Sequence, residues 1–150
     1  MNSILEAKNL SFSWGESPVF SDVCFEIQPR QIVAIVGVNG AGKSTLMKCL
    51  NRILTPSLGS VVINSEDVSE MPLLELAKQV SYVPQSVSTS FPLDVYDVVM
   101  LGRRPYISWR ISDGDRDFVS DTISLFDLED FAFRRFDQLS GGERQRVIIA

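Results

Sequence analysis

The stretch Gly37-Val38-Asn39-Gly40-Ala41-Gly42-Lys43-Ser44-Thr45 constrains this chain more than any other. It follows a short, wholly apolar run, residues 32–36, and precedes a run of helical composition, residues 46–50. The expected order is a buried strand, a glycine-rich loop and the start of a helix. The stretch fits G-x-x-x-x-G-K-[ST], in which glycines let the backbone curl until several N–H groups point inward. The new helix directs the positive end of its dipole at the same point. Such a loop cradles phosphate. Lys43 is placed to reach β- and γ-phosphates, and the Ser44 hydroxyl to ligate Mg²⁺.

The rest of the chain sets limits around this loop. Its 150 residues suggest one domain, and 45% hydrophobic residues are enough to bury a core. A net charge of −5 argues against a general nucleic-acid binder, which would carry a basic stripe. The two cysteines, Cys24 and Cys49, lack metal-like spacing and read as small core residues in a reducing compartment. No apolar run approaches the ~20 residues of a membrane span, and the N-terminus has no basic region leading into an apolar one. A cytosolic location is expected, with any membrane link made through a partner. The C-terminal helix pattern stops on apolar residues without a stop signal, so the expectation is a chain cut in mid-helix.

Along the chain, Leu5, Ala7 and Asn9, then Leu10, Phe12 and Trp14, predict an extended strand with a register change. Residues 15–18 read as a turn, and Val23, Phe25 and Ile27 as alternate positions of a half-buried strand. An antiparallel sheet at the front of the domain follows. Trp14 ends the first strand and is a candidate to stack an adenine ring. After the loop helix come a turn at 56–59, a strand at 61–63, a helix at 72–79 and a strand at 80–83. Gln85 follows that strand's end, where α/β ligand sites gather and where an amide can ligate Mg²⁺ or hold a water. Residues 94–101 read as a helix capped by Asp94. Ser112 and Asp115 start another, with Phe118, Thr122, Ile123 and Phe126 on one face. Phe91, Tyr96, Tyr106 and Trp109 are dense here and suggest either a partner surface or a small local core.

The second chemical motif is Leu139-Ser140-Gly141-Gly142-Glu143. Ser140 with Glu143 is a capping box, hence a helix start. Two glycines in a first helical turn cost about 1–2 kcal/mol relative to alanines. They make sense where something approaches the backbone closely, and an anion at exposed N–H groups is the natural candidate. The chain thus carries two phosphate-type sites, about a hundred residues apart.

With both motifs in view, the chain resembles the nucleotide-binding subunits of ATP-binding cassette (ABC) transporters. GVNGAGKST is similar to their Walker A motif and LSGGE to their signature motif. The resemblance covers essentially the whole chain. It implies an α/β fold: a P-loop NTPase core of ABC type, with an antiparallel β subdomain, a helical subdomain, and the C-terminal part of the core missing. The antiparallel sheet and P-loop core are expected over about 1–85 and the helical subdomain over about 86–150, together one partial ATP-binding domain. The resemblance implies ATP and Mg²⁺ as cofactors, Trp14 as the aromatic on adenine, and residues 37–45 (Gly37, Val38, Asn39, Gly40, Ala41, Gly42, Lys43, Ser44, Thr45) on the phosphates. It makes Gln85 the Q-loop glutamine, holding Mg²⁺ with Ser44. It implies a head-to-tail homodimer in which Ser140, Gly141, Gly142 and Glu143 of one subunit meet the ATP of the other.

The segment Asp97-Val98-Val99-Met100-Leu101-Gly102-Arg103-Arg104-Pro105-Tyr106 is similar to importers for iron–siderophores, haem and cobalamin. Such importers imply a prokaryote, membrane permease subunits docking near Gln85, a substrate-binding protein, and a cytoplasmic place on the inner face of the membrane. Nucleic acid is not an expected partner. The Walker B strand, the glutamate after it and the switch histidine normally follow the signature helix, and this chain has no histidine. The 150 residues alone are therefore expected to fold poorly and to hydrolyse ATP negligibly. The alternatives are an ABC ATPase acting on ribosomes or DNA, a phosphate-loop kinase of small metabolites, and an ATP-binding module without turnover.

Overall fold

The structure is a computed structural model and describes residues 3–85 and 93–150. Backbone contacts divide the chain into two compact units, residues 1–81 and 82–150.

The first unit is built on an antiparallel sheet. Strand β1 (Leu5–Trp14) pairs with β2 (Ser17–Ile27) on one side and β3 (Leu58–Ile63) on the other. A two-residue strand, β4 (Glu66–Asp67), completes the order β2-β1-β3-β4. The register change expected after Asn9 is present: pairing with β2 shifts between Ala7 and Leu10. Asn9 and Asp22 take positive φ there, 50° and 52°, and the Asn9 amide donates to Asp22 Oδ1 at 2.6 Å. The bulge turns Ala7 and Leu10, three apart, into the same core. Helix α1 (Lys43–Leu50) adds Leu46 and Leu50 to that core, and α2 (Leu73–Gln79) adds Leu76. Pro72 stands at the cap position of α2, where its missing N–H costs little.

Two expected strands are not formed. Residues 32–36 and 80–83 have no strand pairing. Ile32 and Val36 are 98% and 90% exposed, although Ile35 packs on the core. A strand persists only where neighbours take its N–H and C=O groups. Among the described residues none pairs with either run. Cys24 also departs from expectation. It lies exposed on β2, its sulfur accepting from Asn9 N at 3.1 Å, whereas Cys49 is buried and burial pushes its thiol pKa up.

The second unit is helical. Helices α3 (Val95–Gly102), α4 (Asp113–Leu125) and α5 (Gly141–Ile149) surround a core that includes Val95, Val99, Val119, Ile123, Phe136 and Val147. Single 3₁₀ turns lie at Arg104–Tyr106, Glu129–Phe131 and Phe136–Gln138. Asp94 occupies the cap position of α3, but its side chain makes no cap bond. The first N–H groups of α3 are taken by backbone instead, Val95 N to Arg134 O at 3.1 Å and Tyr96 N to Ala132 O at 2.8 Å. The buried face of α4 is Asp115, Val119 and Ile123. Phe118, expected inside, is exposed because the Arg103 guanidinium lies over its ring at 4.4 Å and over the Tyr106 ring at 4.4 Å. Arg103 also pairs with Asp115 at 3.0 Å, fixing the end of α3 to the start of α4. Ser112 and Asp115 form the expected capping box. Tyr96 stacks on Phe133 with rings 6.3 Å apart, Trp109 is 99% exposed, and Phe91 lies outside the described residues.

Candidate functional site

The loop before α1 has the backbone that its glycines call for. Gly40 and Gly42 take φ of 83° and 85°. Gly42 is the cap residue of α1 and no side chain caps the helix. The first N–H groups of α1 therefore have no side-chain acceptor, the condition under which a helix start receives an anion. Lys43 folds back over the loop, its ammonium donating to Gly37 O at 2.9 Å and Val38 O at 2.7 Å. That places a fixed positive charge beside the same N–H groups. Val38, Asn39, Gly40, Ala41 and Ser44 are exposed, so the cradle is open to solvent. Thr45 is the third residue of the helix and half-buried.

These residues fit a phosphate chain with Mg²⁺. The uncapped helix start supplies donors, Lys43 supplies charge, and the exposed Ser44 hydroxyl suits a metal that keeps most of its waters. Among the described residues no group of three His, Cys, Asp or Glu side chains could hold a metal. A metal bound beside the phosphates would take one of its oxygens from Ser44.

Trp14 ends β1 with 59% of its surface exposed. Phe12 meets it edge to face, ring centres 4.9 Å apart at 82°. That contact orients the indole while leaving much of it open.

The remaining candidates lie in the second unit. Gln85 is exposed, and with Val83 and Pro84 it lines a cleft of about 220 Å³ shared with Phe136, Gly141, Arg144 and Gln145. The structure thus brings Gln85 together with Gly141 of the second motif. Ser44 belongs to the other unit. Ser140 opens α5 with the expected capping box: its N–H donates to Glu143 Oε2 at 2.7 Å and its Oγ accepts from Glu143 N at 3.4 Å. Hydrogen bonding to the carboxylate from the Ser140 side chain and from the Ser140 backbone N–H holds the Glu143 carboxyl below the usual range. A Cβ added to Gly141 or Gly142 would meet nothing within 4 Å. Arg144 Nη2 donates to Asp137 O at 2.5 Å, and its Nε is buried without a partner among the described residues. Arg144, Gln145 and Phe136 were not legible as cleft residues, because the cleft arises from segments far apart in sequence.

Residues 20–150 match the family described as ABC transporter. The chain belongs to the ABC transporter family. It is 44% identical over 147 residues to an uncharacterised ABC transporter ATP-binding protein of Methanocaldococcus jannaschii, covering 98% of this chain and 58% of that protein. It is 37% identical to a hemin import ATP-binding protein of Thermobifida fusca, covering 98% and 52%. It is 34% identical to a petrobactin import ATP-binding protein of Bacillus anthracis, covering 100% and 56%. The chain spans little more than half the length of these ABC relatives. Among solved structures, an ATP-binding subunit of an ABC transporter superposes with a TM-score of 0.82 at 27% identity, covering 98% and 60%. A transporter described as of metal-chelate type, in an inward-facing conformation, superposes at 0.78 and 29% identity, covering 99% and 55%. These neighbours bear out the fold class, an α/β P-loop NTPase of ABC type, with the antiparallel sheet and helices forming its N-terminal part. No helix among the described residues is long and apolar enough to cross a membrane.

Proposed function

We propose that the protein containing this chain binds Mg-ATP and couples its hydrolysis to an ABC importer, one that carries an iron–siderophore, haem or cobalamin-type metal chelate. The uncapped, lysine-bearing loop before α1 carries the reading of ATP. The importer class is supported by the names of similar proteins, which import hemin, petrobactin and cobalamin.

In this reading the N–H groups of residues 37–45 bind the phosphates and Lys43 neutralises their charge. Ser44 and Gln85 hold Mg²⁺, which when bound supplies charge neutralisation across the β- and γ-phosphates. The exposed face of Trp14 takes the adenine. Ser140, Gly141, Gly142 and Glu143 of a second copy close on the γ-phosphate, an ATP-dependent head-to-tail homodimer. The open space over Gly141 and Gly142 supports that role. Permease subunits dock beside Gln85, a substrate-binding protein delivers the chelate, and the ATPase lies on the cytoplasmic face of the membrane. The two units correspond to the β-and-loop part and the helical part of one domain.

The test is Lys43→Ala in the protein. MgATP affinity is expected to fall by at least about 100-fold, since a charge-assisted contact and the loop's own cation are both lost. ATP-dependent dimerisation is lost with it. Retention of both, measured by calorimetry and light scattering, overturns the assignment of the loop. Loss of chelate uptake in cells carrying the variant, with uptake of unrelated solutes intact, checks the importer class.

A further inference from the structure

The three glycines of the loop differ in what lies over them. A Cβ added to Gly40 would meet nothing within 4 Å. One added to Gly37 would meet only its own loop, Ala41 at 3.6 Å and the Lys43 side chain at 4.0 Å. One added to Gly42 would lie 2.7 Å from Val19 Cγ1, 3.4 Å from Phe20 Cδ1 and 3.5 Å from Val19 O. Gly42 is thus the glycine of the loop that is seated on another element, and that element is β2. It is also the residue at which the loop becomes helix α1.

Val19 is β-branched and stiff at χ1, so its methyl is a fixed stop. Phe20 is held in turn: its ring stacks on Phe12 with centres 6.2 Å apart at 27°. Phe12 is buried, and its other neighbour is Trp14. One chain of contacts therefore runs from Trp14 through Phe12 and Phe20 to Gly42.

We propose that Val19 and Phe20 are positioning residues for the phosphate loop. The β1–β2 hairpin sets where Gly42 turns, and so where the N–H groups of Lys43 and Ser44 point. The same hairpin carries Trp14, which ties the placement of the base platform to that of the phosphate cradle. The inference rests on reading the loop as a nucleotide site. It adds that two apolar residues outside the loop govern phosphate affinity through the loop's backbone.

The experiment titrates the protein with MgATP and, separately, with inorganic tripolyphosphate and Mg²⁺. Val19→Ala is expected to weaken both by a similar factor, about 10-fold, because a small displacement of fixed donors suffices for that. The thermal midpoint is expected to move by no more than a few degrees, and Val19→Ile, which keeps the branch, to bind both ligands as wild type does. Gly42→Ala weakens both ligands further, and adding Val19→Ala to it restores part of the loss, because the methyl that the new Cβ strikes is gone. Unchanged affinities in Val19→Ala overturn the proposal. So does weakening of MgATP alone, which marks contact with the base, and so does a double variant whose loss equals the product of the two single losses. A wild type that binds neither ligand overturns the nucleotide reading itself, and that outcome is distinct from all of these.

Discussion

Two helices in this molecule begin beside glycines, and they begin in different ways. Helix α1 leaves from Gly42 in a left-handed conformation with no side-chain cap bond at its start. Helix α5 leaves from an extended Ser140 whose box with Glu143 takes the cap N–H and the third N–H. At α1 the fold itself demands glycine, through a φ of 85° and Val19 in the way of any Cβ. At α5 nothing among the described residues demands it: both glycines look out on open space. The same residue type thus has an internal cause in one place and none in the other. A glycine pair that costs helix stability and meets no packing neighbour among the described residues fits the proposed approach of a ligand to the backbone, whereas Gly42 is accounted for by the loop's own geometry.

The sharpest way to break this contrast is alanine at each glycine. Gly42→Ala is expected to destabilise the first unit by about 2–4 kcal/mol, combining a left-handed non-glycine residue with a clash against Val19. Denaturant unfolding measures it, and a loss below about 0.5 kcal/mol would erase the difference between the two sites. Gly141→Ala is expected to leave stability unchanged or to raise it by up to about 1 kcal/mol, while ATP turnover in the assembled protein falls by about 10-fold or more. A destabilised Gly141→Ala with turnover intact would make that glycine structural after all.

A smaller effect separates the helix starts by pH. The Glu143 carboxyl is held low by Ser140, and the Asp115 carboxyl is held low by Ser112 and then by Arg103. A carboxyl whose folded pKa lies below its unfolded value, about 4, adds stability that is complete above that value. The added stability is lost as pH falls through the lowered pKa. Helix α1 has no acidic residue in its first turn and lacks this dependence. Unfolding midpoints of the second unit should therefore drop as pH falls below about 4, and Asp115→Asn should flatten that drop. An unchanged slope in the variant would remove the Ser112–Asp115 box as its cause.

Local chemistry was readable in the sequence where it is decided locally. Ser112 with Asp115 and Ser140 with Glu143 mark two helix starts because a capping box needs only four residues. The bulge after Asn9 was readable because Ala7 and Leu10 break the alternation of a flat strand. Residues 32–36 show the limit. Their composition reports tolerance of burial, while a strand also needs a neighbour, which composition does not encode. Asp94 was placed correctly at a helix start, but its capping role went to carbonyls of residues 132 and 134, far away in sequence. The helical pattern puts Phe118 on the core face, whereas in the fold its ring lies outside it under the Arg103 guanidinium, a residue of another segment. In the site itself, the loop and the α5 start were legible as motifs. Val19, Phe20 and Arg144 were not, since each matters through a contact that only folding creates.

The lysine of the loop has a consequence of its own. Its long side chain is already fixed by two carbonyls, Gly37 O and Val38 O. The rotamer entropy of a lysine, about 2 kcal/mol, is thus surrendered when the chain folds and not when a ligand arrives. A phosphate arriving at the loop would then meet a cation whose ordering cost folding has already covered.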